Sequence, residues 1–467
     1  MNRKRMLTLL LAVTLLVSGA GGLARALGEK TGASETVDST AVAVTLQVNG
    51  TGGLAKAQDG KISTFETIPG GATVTVRSDR PMAGLYIQWN KIPGVWAYCL
   101  DGTRTCYTAG EKGFLHEYVA LPQTAGELSF TAPAGGMQIT DLYAFTAGVL
   151  PDWVQVWDEP CEKADLVLFS THSDDEQLFF AGLLPYYAIE VGAQVQVVYM
   201  TSHWDTVTRP HEQLNGLWTV GIRHYPIISD FPDDARSLGS LSESQETVLK
   251  RTQGVYDEAA WVRFQVQQLR RFRPQVVVDH DFAGEYRHGA HILNSDAMVQ
   301  ALQLSADAGY DPESAAKYGL WDVPKAYFHL YDRNPVVMNY DIPYESMGGR
   351  TAFEMSKLGY ACHDSQQWTW FTRWVSVDKA SQIETYNPCY YGLYRSLVGE
   401  DVNKNDLLEH ITLYQEQERL AEEQRRQEQK KKTILTLVLI AGLAVVIAAL
   451  ILRNNRRKKR RRRSRRR

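Results

Sequence analysis

Hydrophobic and polar positions change rhythm three times along this 467-residue chain. Residues 41–150 hold short alternating segments such as Thr45-Leu46-Gln47-Val48, Ala72-Thr73-Val74-Thr75-Val76-Arg77 and Glu127-Leu128-Ser129-Phe130-Thr131, set apart by Gly and Pro turns. A period of two sends alternate side chains to opposite faces, so this stretch predicts an all-β antiparallel sandwich. Carbohydrate-binding jelly rolls share that pattern. Trp89, Trp96 and Tyr98 are its candidates for stacking on sugar rings, although a Trp in a small β-domain is more often part of the core.

Over residues 160–400 apolar runs alternate with amphipathic ones. The pattern predicts strands at 165–170, 194–201, 225–229 and 275–279, with helices at 176–191, 209–221, 256–272 and from about His288. Such alternation predicts an α/β unit, a Rossmann-like doubly wound parallel sheet. Ligands of these sheets bind beyond the carboxyl ends of the strands.

The third rhythm is terminal. Residues 401–432 are charge-rich with sparse Leu and Ile, and predict a helical stalk; residues 433–452 carry no charge over a length that would cross hydrocarbon as a single transmembrane helix. At the other end Arg3-Lys4-Arg5, an apolar run and Ala24-Arg25-Ala26 read as a signal peptide over residues 1–26.

Charge sharpens this picture. The chain has 50 Lys and Arg against 53 Asp and Glu, but twelve of the basic residues lie in the tail 453–467. The remainder, 38 basic against 53 acidic, has a balance of −15, which argues against a nucleic-acid partner for the folded part. The positive-inside rule places the tail in the cytoplasm, so the expected location is the cell membrane, with a single pass and the large N-terminal part outside.

Five cysteines in an exported region permit disulfides. Cys99 and Cys106 fall opposite each other if Gly102-Thr103 form a two-residue hairpin loop. Cys161, Cys362 and Cys389 leave an odd count.

Candidate chemistry sits in two segments, Thr171-His172-Ser173-Asp174-Asp175-Glu176 and Gly284-Glu285-Tyr286-Arg287-His288-Gly289-Ala290-His291, each just past a predicted strand. A catalytic zinc takes three imidazole or carboxylate ligands and keeps a fourth position open. His-x-x-Asp and His-x-x-His supply that set and leave a carboxylate and an imidazole over, which amide hydrolysis needs beside the metal.

These motifs carry a resemblance. Residues 165–366 resemble the PIG-L/LmbE-like deacetylases, zinc enzymes acting on N-acetylglucosaminyl compounds: His172-Ser173-Asp174-Asp175-Glu176 is similar to the family's His-Pro-Asp-Asp-Glu, and Arg209-Pro210-His211-Glu212 to its Arg-x-x-Glu. Gly284 through His291 is similar to Gly-x-Tyr-x-His-x-x-His, and Lys357 with His363-Asp364-Ser365-Gln366 to a late Lys…His-x-Ser-Gln element. The resemblance implies that His172, Asp175 and His291 bind Zn2+, that Asp174 is the general base, and that Tyr286 contacts the reacting carbonyl. It also implies that Arg209 holds substrate, and that Asp233, in Phe231-Pro232-Asp233, belongs to a substrate loop. His288, three residues before His291, would face the developing oxyanion or protonate the leaving amine. Ser173 stands where the family has Pro, which should loosen the loop slightly.

Each motif has a plainer explanation: His-x-x-His occurs on ordinary helices, and Asp174-Asp175 would also cap a helix. His203, His211, His224 and His280 fit no ligand spacing as well, with His280 the first candidate to support a ligand. The expected activity is removal of acetyl groups from N-acetylated amino sugars in a surface glycan. The alternatives are a glycan-binding protein with a non-catalytic fold and an amidase on another N-acyl compound.

Overall fold

The computed structural model of the protein describes residues 37–100, 105–367 and 375–464. The signal segment expected at residues 1–26 and the turn expected at Gly102-Thr103 lie outside the described residues.

The N-terminal unit is all-β. Its strands are β1 (Ala41–Val42), β2 (Thr45–Val48), β3 (Glu66–Ile68), β4 (Thr73–Lys91), β5 (Trp96–Leu100), β6 (Cys106–Ala109), β7 (His116–Thr131) and β8 (Met137–Phe145). They form one sheet in the order β1-β8-β4-β7-β5-β6, with β2 also on β4 and β3 also on β8. The long pair β4 and β7 changes register between Arg77 and Gly84, and a bulge of that kind bends both strands. Alternation sends Val74 and Val76 inward. Trp89, Trp96 and Tyr98 are buried as well, so the three rings proposed from sequence for sugar stacking are core residues. Trp89 and Trp96 meet edge to face at 5.7 Å, and both indole N–H groups donate to Glu117. Cys99 and Cys106 are register partners and form a disulfide; Cys161, Cys362 and Cys389 are free thiols.

The second unit is built on a seven-stranded sheet of β9 (Leu166–Ser170), β10 (Val195–Tyr199), β11 (Ile227–Ile228), β12 (Val276–Asp279), β13 (Lys325–His329), β14 (Pro335–Val337) and a last strand. Between β14 and that last strand the two-residue strands β15 (Pro343–Tyr344) and β16 (Arg350–Thr351) pair in a separate ribbon. The last strand is β17 (Tyr390–Ser396), and the sheet order is β11-β10-β9-β12-β13-β17-β14. Five strands are parallel, as expected, but β17 runs antiparallel to both β13 and β14, so the sheet is mixed at one edge. Along β9, Leu166 and Leu168 enter one hydrophobic cluster while Val167 and Phe169 enter the other. Both faces are covered, which is why the strand is apolar without alternation.

From β9 the chain winds outward through β10 and β11, then returns to β12 on the other side of β9. The winding direction reverses between β9 and β12, and the carboxyl ends of those strands are where such a sheet opens a crevice.

Three expectations are corrected. The helix expected over 176–191 is broken into Asp175–Leu178, Leu183–Pro185 and a π-helical turn Tyr186–Glu190. Gly182 interrupts it with φ +95°, and a Cβ there would lie 2.3 Å from the Tyr340 ring. The strand expected over 225–229 shortens to Ile227–Ile228. The stalk does not begin at residue 401: Asp401 pairs with buried Lys325 at 2.5 Å, Leu407 and Leu408 are buried, and Thr412 accepts from Gln275. A buried ammonium requires a partner, and that partner ties residues 401–413 to the α/β unit. Only then does a continuous helix run over Tyr414–Ser464, long and apolar enough to cross a membrane.

Candidate metal centre

Three loops deliver the site. His172, Asp174 and Asp175 follow β9; Arg209 opens the helix Arg209–Thr219 after β10; Glu285, His288 and His291 follow β12. All are buried except Arg209, which is partly so.

His172 Nδ1, Asp175 Oδ2 and His291 Nε2 form a triangle with sides of 3.1, 3.0 and 3.2 Å. Ligand atoms of a tetrahedral zinc with bonds of about 2.0–2.2 Å lie about 3.3 Å apart, so the triangle fits such an ion. The outer nitrogen of each imidazole faces a carboxylate, and a backbone N–H holds the Asp175 oxygen in place. His291 Nδ1 donates to Glu285 Oε2 at 2.8 Å, which turns the Nε2 lone pair inward. His172 Nε2 lies 3.4 Å from Asp233 Oδ1, and the His172 backbone N–H donates to Asp175 Oδ2 at 2.7 Å.

Two neighbouring imidazoles are less suited. His280 Nε2 accepts the Thr171 N–H at 3.0 Å, and its Nδ1 bonds Glu285 at 2.8 Å. His288 stands at the start of the expected helix as its cap, before Gly289–Leu304: its Nδ1 accepts from the Ala290 N–H at 3.2 Å. The proton of a neutral His288 is therefore on Nε2, which then has no lone pair for a metal.

Glu285 holds the assembly together. Its carboxylate receives Nδ1 of His280, His291 and His329 at 2.8, 2.8 and 2.6 Å. Burial alone would push that carboxyl up, but the imidazoles, His280 foremost, hold it well below the usual range. Neither this role nor His329 was evident from motif spacing. A signal did exist: His329 ends β13 as His172 and His280 follow β9 and β12, so all three stand at carboxyl ends of adjacent strands.

The two adjacent aspartates diverge. Burial raises both, but His291 and His172 more than offset it for Asp175, which stays well below the ordinary range. At Asp174 burial wins over the opposing Arg209, and the carboxyl is pushed up to about 6. Environments that separate two carboxyls in this way suit one as an anionic ligand and the other as a proton acceptor.

Arg209 reaches the loop itself. Its Nε donates to Ser173 Oγ at 3.2 Å, one terminal nitrogen donates to Ser173 O at 3.1 Å, and that nitrogen lies 3.7 Å from Asp174 Oδ1. Ser173, expected to loosen the loop, is instead tethered. Tyr286 and Arg287 adopt left-handed backbone at φ +46° and +64°, a strained conformation of the kind found at functional sites. It sets the Tyr286 ring 5.4 Å from His288 and 5.5 Å from His291. Asp233 stands beside His172 and His203. Of the other histidines, His211 bonds His116 across the two units and His224 bonds Glu159 O.

No family model matches the chain. Over 190 residues it is 27% identical to 1D-myo-inositol 2-acetamido-2-deoxy-alpha-D-glucopyranoside deacetylase 1 of Catenulispora acidiphila, covering 36% of this chain and 56% of that protein. It is 30% identical over 189 residues to the deacetylase of the same description from Corynebacterium urealyticum, covering 35% and 55%. The chain thus spans about half the length of these curated relatives. Among solved structures, N,N'-diacetylchitobiose deacetylase from Pyrococcus horikoshii aligns with a TM-score of 0.32 at 15% identity, over 49% of this chain and 84% of that one.

Proposed function

We propose that this chain, whose residues 165–366 resemble the PIG-L/LmbE-like deacetylases, is a membrane-anchored zinc hydrolase removing acetyl groups from N-acetylglucosamine-type amino sugars of a surface glycan. The observation that carries this reading is the triangle of His172 Nδ1, Asp175 Oδ2 and His291 Nε2 with Asp174 beside it. The curated relatives, named as deacetylases of a 2-acetamido sugar, support it.

His172, Asp175 and His291 would hold the ion. Zinc there would acidify a water and polarise the acetamide carbonyl. Asp174, ionised above about pH 6 and outside the ligand triangle, accepts the proton of the attacking water and passes it to the departing amine. His288 acts as a neutral donor: an imidazolium would need a proton on Nδ1, where the Ala290 N–H already points. Its Nε2–H is therefore assigned to the developing oxyanion rather than to the amine. Arg209 fixes the loop bearing Asp174 and lies where it also borders substrate; Tyr286 closes the other side of the carbonyl. Asp233 orients His172 through Nε2.

The helix Tyr414–Ser464 carries the uncharged stretch 433–452 and ends in the basic tail. We assign it as the anchor, with the tail cytoplasmic and the two folded units outside.

The test is zinc stoichiometry and acetate release by the full chain in detergent, offered N-acetylglucosamine and its oligomers with and without chelator. One zinc per chain and chelator-sensitive acetate are expected. Bound zinc with no acetate from any N-acetylhexosamine would overturn the substrate assignment, and absence of zinc would overturn the hydrolase.

A further inference from the structure

Between the β unit and the α/β unit lies a cleft of about 830 Å³. We propose that it binds further sugar rings of a glycan chain whose reacting residue lies at the metal centre, so that the substrate is an oligomer rather than a free sugar. This rests on the deacetylase reading above and adds the extent of the ligand.

The cleft shares an element with the metal centre. Thr208, Glu212, Asn215 and Thr219 line it from the helix Arg209–Thr219 and its N-cap, and Arg209, one position on from Thr208, reaches the Asp174 carboxylate at 3.7 Å. In the proposed arrangement the chain runs along this helix from the cleft toward the metal centre.

Its lining suits sugar. Trp153 is 48% exposed, and its ring is held in place by Tyr143 and Phe145 at centroid distances of 5.1 and 5.6 Å. A large ring held rigid and left open to a polar cleft offers the flat apolar surface on which a pyranose face packs, at little entropic cost. Asp141 supplies an acceptor. It is 1% exposed, its Oδ1 takes the Gly60 N–H at 3.2 Å, and the Tyr143 hydroxyl of the same cleft lies beside its carboxyl group.

Charge selects among ligands. Asp141, Glu212 and Asp364 face Lys61 as the basic residue lining the cleft. A polyanion is disfavoured there, and an uncharged polyhydroxylated chain is not. The position between two units and the size, within the roughly 300–1,000 Å³ of small-molecule sites, agree. Recognition then falls to Trp153, in the segment after β8, and to the β-unit residues Asp141 and Tyr143 beside it, not to Trp89, Trp96 and Tyr98, which are in the β-unit core.

Isothermal titration of the full chain in detergent with N-acetylglucosamine and with its β-1,4-linked tetramer tests this, alongside acetate release from both. The tetramer should bind at least about tenfold more tightly than the monomer. Trp153→Ala should remove most of that gain while leaving acetate release from the monomer unchanged. Ser63→Trp, which fills the cleft from an exposed position, should do the same without disturbing the core. Equal affinity for monomer and tetramer, or a tetramer affinity untouched by both variants, overturns the proposal. Tight, Trp153-dependent tetramer binding with no acetate from either sugar would sustain the cleft and overturn the hydrolase reading instead.

Discussion

Arg209 grips Ser173 twice, through Oγ at 3.2 Å and through the backbone carbonyl at 3.1 Å. Where the motif His-Pro-Asp-Asp-Glu that this segment resembles has a proline, this chain has a serine that accepts a charged hydrogen bond. Rigidity is supplied by a contact across 36 residues rather than by a ring.

Ser173→Ala removes one of these bonds. A hydrogen bond to a charged group contributes about 1.5–3 kcal/mol, and part of that is retained through the carbonyl. We expect kcat to fall about tenfold with zinc content unchanged. Steady-state acetate release and metal analysis on the same preparation check it; unchanged kcat would show that the tether does not hold Asp174 in place.

Asp174→Asn keeps the volume and removes the base. Turnover should drop by about 10²- to 10⁴-fold while zinc binding persists, because the ligand triangle does not include this residue. His288→Ala should also retain zinc and lose about 10²- to 10³-fold in kcat, as for other oxyanion donors. Loss of metal from either variant would mean that the ligand set is drawn wrongly.

Glu285→Gln converts a carboxylate serving three imidazoles into an amide that can accept at only one oxygen. Substitutions of this kind cost about 10- to 100-fold in metal affinity. Competition with a chromophoric chelator measures it, and His329→Gln, which removes one imidazole from the same carboxylate, should show a smaller change in the same direction.

The units meet at His116 and His211, whose Nε2 and Nδ1 lie 2.8 Å apart in the interior. Burial holds His116 well below the ordinary range and His211 at about 4. Unfolded, both titrate near 6.5, so between about pH 6.5 and 4 the unfolded chain binds more protons. Stability is then full above about pH 6.5 and declines as pH falls toward 4, by up to about 3 kcal/mol for His211. Thermal unfolding midpoints from pH 7.5 to 4.5 should fall accordingly, and His211→Gln should flatten the profile; a variant with the wild-type slope would remove His211 as a cause.

Periodicity alone determined the order of β unit, α/β unit and long terminal helix, because alternation and apolar run length are set by neighbours two to four positions away. It also placed His172 and the Glu285-to-His291 segment past strand ends, which is how a doubly wound sheet brings residues 119 positions apart to within 3.0 Å. What it could not decide depends on packing between distant segments. Gly182 breaks a helix because the Tyr340 ring occupies the space a side chain would need, and residues 401–413 fold back because Lys325 is buried and needs Asp401. His329 joins Glu285 only once β13 lies beside β12, and the tautomer of His288 follows from a backbone N–H that becomes its partner when the helix forms. Trp89 and Trp153 are chemically identical, but the fold buries the first within β4 and leaves the second, in the segment after β8, open at the edge of a cleft, a difference that arises from long-range contact and not from any local pattern.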